Sequence, residues 1–380
     1  MKIGIDTRLW GETGVGRYIR NLVSELSKID FKNSYVLFAL NKNEKNIKSA
    51  IRNSQFVIRL TDIKWHTLEE QLKFPAILNK ENLDLIHFPY FSVPALYNKP
   101  FVFTIHDLII DHFPTGQASA LPFPIYNLKR LAYNLVLSYA AKKAKKIITV
   151  SNATKDEIID HLKVNPEKVA VTYEGVDDRI SNIKYQKSKI DSEYFLCVGN
   201  AYPHKNLERL LEAFKILDND TKLVLVGKED YFYKRLRSKV AGMRLSDKTI
   251  LLQNVADEEL SSLYQNAKAL ILPSLMEGFG LPALEAMANK CLVLASDIPS
   301  LREICGNAAL YFNPLSIDEL TKKLNMVTSH TTGYGRLEEI RKRGIERVKL
   351  FSWRKMARKT LKIYESSSSA SRRYPEGHSE

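Results

Sequence analysis

The chain has 380 residues, of which 44% are hydrophobic and 26% charged, and its formal net charge is +14. This length is too great for one ordinary domain and the composition is typical of a globular protein with an ample core, so we expect two domains. No apolar run reaches the roughly 18–20 residues that a membrane-spanning helix needs, and the first residues lack the apolar segment of a signal peptide, so we expect a cytoplasmic protein.

The first half of the chain alternates apolar runs with helical patterns. The run KIGID is followed by the loop TRLWGETGVG and by a helix with Ile19, Leu22, Val23 and Leu26 on one face. Further strand-like runs are YVLFAL, FVIRL, DLIHF, FVFTI, IITVS and VAVTY. Strands rich in Val, Ile and Phe that alternate with helices predict a parallel sheet covered on both faces.

A basic segment lies between Phe113 and Thr154, where the sequence contains no Asp or Glu. Its aromatic and aliphatic residues are interleaved with the basic residues Lys129, Arg130, Lys142, Lys143, Lys145 and Lys146. Residues 126–146 could lie on an anionic membrane surface, where each basic residue adds about 1 kcal/mol of attraction. The protein would then be peripheral on the inner face of the cell membrane. A buried helix with a solvated basic end is the alternative. No nucleic acid is expected as a partner, because no nucleic-acid-binding motif accompanies the charge.

The sequence becomes polar at residues 179–193, RISNIKYQKSKIDSE, and this stretch predicts a linker between domains at 1–178 and 194–351. The strand and helix pattern then resumes with YFLCVGN, KLVLVG, TILL, AKALIL and CLVLAS. A terminal helix over 352–365 is expected to return to the first domain, and 366–380 to be a disordered tail. The sequence therefore predicts an α/β protein with two doubly wound, Rossmann-like domains facing a central cleft.

The three cysteines are Cys197, Cys291 and Cys305, an odd number without Cys-x-x-Cys spacing. Two of them lie in the apolar runs YFLCVG and KCLVLA. We therefore predict buried free thiols, not disulfides or metal ligands.

The stretch SLMEGFGLPALEAM joins the strand AKALIL to a helix and carries two glutamates. Glu277 stands in the loop, where Gly278 and Gly280 let the backbone approach a ligand closely, and Pro282 suits the first helical turn. The helix N-terminus favours a phosphate, and Glu285, expected in the first turn, can accept two hydrogen bonds from a ribose diol. By spacing alone, a loop with a glutamate that stabilises the helix dipole is an equal alternative.

The stretch EGFGLPALEAMA resembles the Glu-x7-Glu signature of retaining glycosyltransferases of family 4, which have the two-domain GT-B fold. Further stretches agree with this family in the same order: TGVGRYIRNL, TIHDL, TVSNATKDEI, YEGVD, VGNAYPHKNL and FSWRKMA. The resemblance covers residues 1 to about 365. It implies transfer of a sugar from a nucleotide-diphosphate donor with retention of anomeric configuration, without a cofactor and without an obligatory metal.

The resemblance implies roles for several residues of the second half. Lys205 would bind the donor diphosphate and stabilise the charge that grows on the leaving phosphate. Glu277 would position the sugar, while a phosphate oxygen serves as the base. Family members often have a second basic residue where this chain has Asn200, and His204 is a candidate substitute. The predicted donor-binding residues are Gly14, Gly16, Asn200, Lys205, Gly278, Phe279, Gly280, Leu281 and Glu285.

In the first half, the resemblance places His106 of TIHDL near the transferred sugar, so that it joins Glu277 and Lys205 in the predicted catalytic set. Asp107 and His87 are predicted on the acceptor side, although a structural role for His87 fits the sequence equally well. Glu174 of YEGVD stands where an Asn is common in the family, and we assign it no role.

The stretches VGNAYPHKNL and HFPYFSVP resemble mannosyltransferases that extend bacterial surface polysaccharides with GDP-mannose as the donor. UDP-glucose is the alternative donor, and the acceptor is expected to be a growing glycan or a lipid-linked glycan. Two other classes of protein stay open. A dehydrogenase would need a complete glycine fingerprint, which the first loop lacks, and a non-catalytic nucleotide-sugar-binding protein could share the fold.

Overall fold

The computed structural model of the chain describes residues 1–113, 123–177, 180, 185–329 and 334–368. These residues form two compact units, each with its own sheet. The first unit contains the described residues of Met1–Leu108, Leu121–Glu174 and Trp353–Glu380, and the second contains those of Ile109–Ala120 and Gly175–Ser352.

The first unit is built on a parallel sheet of seven strands in the order β3-β2-β1-β4-β5-β6-β7. The strands are β1 (Lys2–Asp6), β2 (Ser34–Ala39), β3 (Phe56–Leu60), β4 (Leu85–Phe88), β5 (Phe101–Ile105), β6 (Lys146–Thr149) and β7 (Val169–Val171). The helices in this part of the chain are α1 (Gly14–Ile29), α2 (Glu44–Ala50), α3 (Leu68–Lys80), α4 (Ile109–His112, which is assigned to the second unit), α5 (Phe123–Lys143) and α6 (Asn152–Leu162).

The second unit has a parallel sheet of six strands in the order β10-β9-β8-β11-β12-β13. The strands are β8 (Tyr194–Val198), β9 (Lys222–Gly227), β10 (Thr249–Gln253), β11 (Ala269–Leu272), β12 (Val293–Ser296) and β13 (Leu310–Phe312). The helices are α7 (Leu207–Ile216), α8 (Tyr231–Gly242), α9 (Asp257–Asn266), α10 (Leu281–Ala288), α11 (Pro299–Cys305), α12 (Ile317–Thr328) and α13 (Tyr334–Val348). The last helix of the described residues, α14 (Trp353–Ser367), packs against α1 in the first unit.

Burial follows the apolar patterns of the sequence. The predicted face of α1, with Ile19, Leu22, Val23 and Leu26, is fully buried. The three cysteines are buried and free, so that prediction is confirmed. Among the described residues, no helix combines the length and the apolarity that crossing a bilayer requires.

Each sheet has one point at which the strand order reverses, between β1 and β4 in the first unit and between β8 and β11 in the second. The loops that leave the carboxyl ends of two such strands diverge to opposite sides, and the crevice between them is where doubly wound sheets bind ligands. The prediction of two doubly wound α/β domains is confirmed. The loops after β8 and β11 contain Lys205 and Glu277.

The boundary between the units lies between Glu174 and Gly175, some residues before the predicted linker at 179–193. Within that stretch, residues 179 and 181–184 lie outside the described residues, as do 369–380 of the predicted tail. The part from residue 185 on is attached to α9, because Tyr185 donates to Asn266 and the Gln186 carbonyl accepts from Ser262. The described part of 179–193 therefore belongs to the second unit.

A buried ion network fixes the loop that follows β1. The Arg8 guanidinium binds Asp6 at 2.7 Å and Glu70 of α3 at 2.6 Å, and it lies over the ring of Phe74. Ser92, from the loop after β4, donates to the Glu70 carboxylate. The network thus joins the loops on both sides of the first switch point to α3.

A second buried polar group attaches α14 to the first sheet. His87 of β4 is fully buried, with its Nδ1 2.6 Å from the Tyr364 hydroxyl and its Nε2 2.8 Å from the Thr104 hydroxyl. Burial, together with the neighbouring His106, lowers the pKa of His87 to about 3, so the ring stays neutral. His87 therefore links three elements, β4, β5 and α14.

We expect Tyr364→Phe to lower the free energy of unfolding of the first unit by about 1–3 kcal/mol, because it leaves a buried ring nitrogen of His87 without its partner. All three tryptophans, Trp10, Trp65 and Trp353, belong to the first unit, so tryptophan fluorescence during urea unfolding reports on that unit. Tyr139→Phe is the control, since Tyr139 is exposed and its hydroxyl bonds only to the exposed Lys143 among the described residues, so its loss should be close to neutral. Equal effects of the two substitutions would contradict the assignment.

Candidate functional site

The carboxyl ends of β8 and β11 carry an ion pair between Lys205 and Glu277. The Lys205 Nζ lies 2.6 Å from Glu277 Oε1, and the side chains are 20% and 9% exposed. The Ser274 hydroxyl donates to the same carboxylate oxygen at 2.6 Å. A cation and a carboxylate are thus held side by side at the switch point of the second sheet, where a ligand is expected to bind.

Asn206 fixes the turn that carries Lys205. Its side-chain amide donates to the carbonyls of Pro273, after β11, and Pro314, after β13. The backbone N–H of Leu275 also donates to the His204 carbonyl at 2.7 Å. Asn206 itself adopts the left-handed conformation with φ 57°, which Asn tolerates better than most residues. These bonds tie three strand-end loops together, so the Lys205 ammonium is held in place.

Two glycines of this site are required by their backbone geometry. Gly199 has φ +145°, and a Cβ there would lie 3.7 Å from Lys205 Cε. Gly280, the residue before α10, has φ +88°, and a Cβ there would lie 2.7 Å from Leu301 Cδ2. A larger residue at position 280 would therefore have a strained backbone conformation and would have to displace the Leu301 side chain.

The charge of the ion pair is set by its surroundings. Burial by itself would raise the pKa of Glu277, but Lys205 and the Ser274 hydroxyl outweigh it, and the pKa lies below the usual range. The pKa of His204 is lowered to about 4 by burial and by Lys205. His204 is therefore neutral near pH 7, and it does not supply the second cation for which the sequence made it a candidate.

Glu285 lies deeper in the fold than the sequence predicts. It is the fifth residue of α10, in the second turn, is 3% exposed, and accepts a hydrogen bond from the Tyr264 hydroxyl at 2.9 Å. Since Tyr264 belongs to α9, this bond joins two neighbouring helices. Contact of Glu285 with a ribose stays a prediction.

The other predicted donor-binding residues of the second unit surround the pair. Asn200 is half-buried after Gly199, and Gly278 is buried beside Glu277. The Phe279 ring is buried edge-on against Phe351, with centroids 5.8 Å apart, so it contributes to packing and any ligand contact would come from its backbone. The half-buried residue Leu281 is the first residue of α10.

In the first unit, His106 lies among three elements at the carboxyl end of its sheet. Its Nε2 is 3.0 Å from the Pro89 carbonyl, and its Nδ1 is 3.6 Å from Oε1 of Glu174. Tyr18 of α1 packs edge-on against the ring with centroids 4.8 Å apart. Burial raises the pKa of Tyr18 to about 12, so this neighbour stays an uncharged phenol. The half-buried residue Asp107 follows His106 in the chain.

The remaining first-unit predictions have different outcomes. Gly14 is exposed at the first position of α1 with open space around it, which leaves room for a ligand. At Gly16, a Cβ would lie 2.7 Å from the Trp10 carbonyl oxygen, so packing explains this glycine. The acceptor-side prediction for His87 is corrected by its complete burial, since both ring nitrogens are occupied by hydroxyl groups of the same unit.

Two residues of the site were missed by the sequence interpretation. Asn206 joins the loops after β8, β11 and β13, and Glu174 faces His106. Asn206 lies in the family stretch PHKNL, in the loop after β8. Glu174 lies in the family stretch YEGVD, in the loop after β7. An acidic residue in place of the usual Asn was the signal for Glu174.

Helix α5 exposes an apolar surface. The exposed side chains are Ile125, Leu128, Leu131, Leu135 and Tyr139, at helical spacing, with Leu128 66% exposed. The opposite face, with Leu137, Ala140 and Ala141, is buried against the sheet. The exposed lysines Lys142, Lys143 and Lys145 follow at the C-terminal end. One face of α5 is therefore buried, while the other face and the basic end are exposed, and contact with a membrane stays a prediction.

Comparison with known proteins identifies two family matches that meet near the unit boundary. The profile described as Glycosyltransferase Family 4 matches residues 13–179, and that of Glycosyl transferases group 1 matches residues 178–347. The second match contains Lys205, Glu277 and Glu285.

Individual relatives agree with these matches. The O-antigen chain mannosyltransferase RfbU of Salmonella typhimurium is 31% identical over 269 residues, which cover 70% of this chain and 71% of the relative. The O-antigen chain mannosyltransferase B of Escherichia coli is 29% identical over 297 residues, 74% of each chain. The crystal structure of HepE from Anabaena with UDP-glucose is 17% identical and has a TM-score of 0.75, covering 96% of this chain and 100% of that one. This last likeness concerns the fold, and the predicted GT-B fold is confirmed.

We expect Lys205→Met to destabilise the second unit by up to about 3–5 kcal/mol near neutral pH, because Glu277 would be left as a nearly buried, uncompensated carboxylate. Glu277 contributes stability above about pH 4.3, its ordinary pKa, and this contribution is lost as the pH falls through its lower folded value. The difference between the wild type and Lys205→Met should therefore shrink in acid. Urea unfolding followed by circular dichroism, with tryptophan fluorescence marking the first unit, measures it.

The matched control is the double variant Lys205→Met with Glu277→Gln, which removes the buried charge and should recover most of the lost stability. A difference that is independent of pH, or a double variant no more stable than Lys205→Met, would argue against the ion pair as the source.

Proposed function

The chain belongs to the glycosyltransferases of family 4, and on that basis we propose that it transfers mannose from GDP-mannose to a glycan or lipid-linked acceptor, with retention of anomeric configuration. The observation that carries this proposal is the Lys205–Glu277 pair at the switch point of the second sheet. A cation for the diphosphate and a carboxylate for sugar hydroxyls are the two groups that a nucleotide sugar requires, and here they are 2.6 Å apart.

Lys205 would act on the leaving group. As the bond between the sugar and the diphosphate breaks, negative charge accumulates on the phosphate oxygens, and a fixed ammonium stabilises the transition state more than the ground state. Asn206 and the loop contacts hold the ammonium in place, so little reorganisation would be needed at that moment.

Glu277 would position the sugar instead of attacking it. Its Oε1 is occupied by Lys205 and Ser274, which leaves the carboxylate oriented to accept hydrogen bonds from sugar hydroxyls through Oε2. The acceptor hydroxyl would then attack from the side of the leaving phosphate, with a phosphate oxygen taking its proton. This course retains the configuration without a glycosyl-enzyme intermediate, in contrast to the double displacement of retaining glycosidases.

The diphosphate would be neutralised by protein groups, with no obligatory metal and no cofactor. Lys205 supplies one positive charge, and the N-terminus of α10, after Gly280, supplies the partial positive charge of a helix end. His106 would contact a hydroxyl of the transferred sugar, and Glu285, once turned from Tyr264, would contact the ribose.

The donor is the part of the proposal that depends most on the relatives. RfbU and mannosyltransferase B are named for mannosyl transfer in O-antigen chains, and together they support mannose in polysaccharide synthesis. HepE has been solved with UDP-glucose, which makes that nucleotide sugar the alternative donor. Preference for one nucleotide sugar over another depends on a few contacts in the binding pocket.

The acceptor would be presented at an anionic membrane surface that helix α5 contacts. An exposed row of leucines next to exposed lysines suits insertion of apolar side chains below the headgroups, with the lysines at the phosphates. The protein would then act in the cytoplasm, attached to the inner face of the membrane without spanning it.

We expect GDP-mannose and GDP to raise the melting temperature of the purified protein, and UDP-glucose and UDP to do so less. A ligand at a hundredfold excess over its Kd stabilises the folded state by about 2.7 kcal/mol. With an acceptor glycan, mannose should be transferred in EDTA as well as in buffer, and NMR of the product should show the anomeric configuration of the donor.

The control for donor binding is Lys205→Met, which should lose most of the stabilisation by GDP-mannose. Preferential stabilisation by UDP-glucose would support UDP-glucose as the donor instead of GDP-mannose. Binding without transfer or slow hydrolysis of any donor would identify a non-catalytic binding protein, and an inverted product would overturn the mechanism.

We expect the protein to bind vesicles that contain anionic lipid, and binding to fall when Leu128, Leu131 and Leu135 are replaced by Ser or when Lys142, Lys143, Lys145 and Lys146 are replaced by Glu. The charge-matched control replaces four exposed lysines of the second unit by Glu: Lys187, Lys189, Lys215 and Lys234. Vesicle sedimentation measures the bound fraction. Equal loss in the control would show that net charge alone governs binding, and no loss in either α5 variant would remove the membrane surface from the proposal.

A further inference from the structure

The loops after β5 and β7 bring a histidine and a glutamate together across an intervening strand. In the sheet order, β6 lies between β5 and β7, so the two loops leave strands about 10 Å apart. The side chains of His106 and Glu174 nevertheless approach to 3.6 Å, with exposures of 12% and 5%. Both side chains are thus turned toward each other in a mostly buried position.

The two nitrogens of His106 face different kinds of acceptor. Nε2 is 3.0 Å from the Pro89 carbonyl oxygen and Nδ1 is directed at the Glu174 carboxylate. A carbonyl oxygen can only accept, so Nε2 carries the hydrogen of the bond to Pro89, and a proton on Nδ1 would face the Glu174 carboxylate favourably. The 3.6 Å separation is that of an ion pair and not of a hydrogen bond, and such contacts often shorten once substrate is bound.

Two titratable neighbours of His106, Tyr18 and His87, do not compete for this proton. Tyr18, on α1, presents a ring edge and stays an uncharged phenol. His87, on β4, is neutral and has both nitrogens hydrogen-bonded. Asp107 directly follows His106 in the chain, so it belongs to the same loop as His106. Glu174 is therefore the carboxylate that approaches the ring from a separate element of the sheet.

We propose that Glu174 is a positioning residue for His106: its carboxylate holds a proton on Nδ1, fixes the ring plane, and directs Nε2 toward a substrate hydroxyl that takes the place of the Pro89 carbonyl. This inference rests on the proposed function, in which His106 contacts the transferred sugar. It gives a role to a residue that differs from the Asn common at this place in the family, and it makes the His106 ring depend on a charge supplied from the loop after β7.

The arrangement has a kinetic consequence that a packing role would not have. A ring with a fixed plane and a fixed Nδ1 proton holds its Nε2 in one orientation, and loss of that orientation acts on the chemical step more than on donor binding.

Three variants test the proposal: Glu174→Gln, which keeps the shape and removes the charge; Glu174→Ala, which removes both; and Glu174→Asp, which keeps the charge on a shorter side chain. We expect kcat to fall roughly 10–100-fold in the first two with little change in KM, and Glu174→Asp to recover part of the loss.

The matched control is Glu167→Gln, which removes an exposed carboxylate just before β7 without approaching His106. It should leave kcat and KM unchanged. A Glu174→Gln enzyme with wild-type kcat, or with a loss that falls on KM instead of kcat, would overturn the positioning role.

A measurement without catalysis separates this inference from the proposed function. The chain has eight histidines, and protein labelled with 15N in histidine reports the proton on each ring nitrogen by NMR. The His106 signals are assigned by their loss in His106→Asn. We expect the Nδ1 signal of His106 to be that of a protonated nitrogen in the wild type and to change in Glu174→Gln, but not in Glu167→Gln. If no donor is turned over, the proposed function fails while this experiment still decides the contact, and an unchanged Nδ1 signal would overturn it.

Discussion

The second unit depends on holding a lysine ammonium and a carboxylate side by side at the reversal point of a parallel sheet. Taking both charges largely out of water costs free energy, which is offset only when the geometry and the added hydrogen bonds are good. The surrounding residues meet this condition: Ser274 donates to the carboxylate, Asn206 joins three loops, and Gly199 and Gly280 allow the chain to pass close by. The site is therefore a property of several strand ends together, and it places charge where a diphosphate and a sugar would need it.

The two units use the same topology for different chemistry. In the second, the strand ends present full charges, Lys205 and Glu277, that suit an anionic, hydroxyl-rich ligand. In the first, they present a histidine held among a carbonyl, a carboxylate and an aromatic edge, and the nearby polar residues, His87 and Tyr18, are neutral. One sheet design supports both arrangements because the strands supply only positions, while the loops supply the charged and hydrogen-bonding side chains.

The sequence predicted the features that depend on residues close together in the chain. The apolar face of α1 and the alternation of strands and helices followed from periodicity, and the EGFGLPALEAM stretch placed Glu277 in the loop between a strand and a helix, because its glycines and proline lie within a few residues. Prediction failed where the partner is distant in the chain. The burial of His87 depends on Tyr364, 277 residues away, and the depth of Glu285 depends on Tyr264 of another helix. Glu174 was passed over for a different reason: a departure from a family pattern shows neither which side chain it faces nor at what distance.

Helix α14 affects the order in which the two units complete their folding. The first unit contains β1 to β7, yet a buried ring of its central strand β4 is hydrogen-bonded to a tyrosine that the ribosome adds only after the entire second unit. During translation the nascent amino-terminal half would therefore keep the surface of α1 that receives α14 uncovered, and His87 without its phenol partner, while the second half emerges and closes around its own core. The first unit can complete its folding only after α14 has been made. The two units therefore complete folding in the reverse of the order in which they are made.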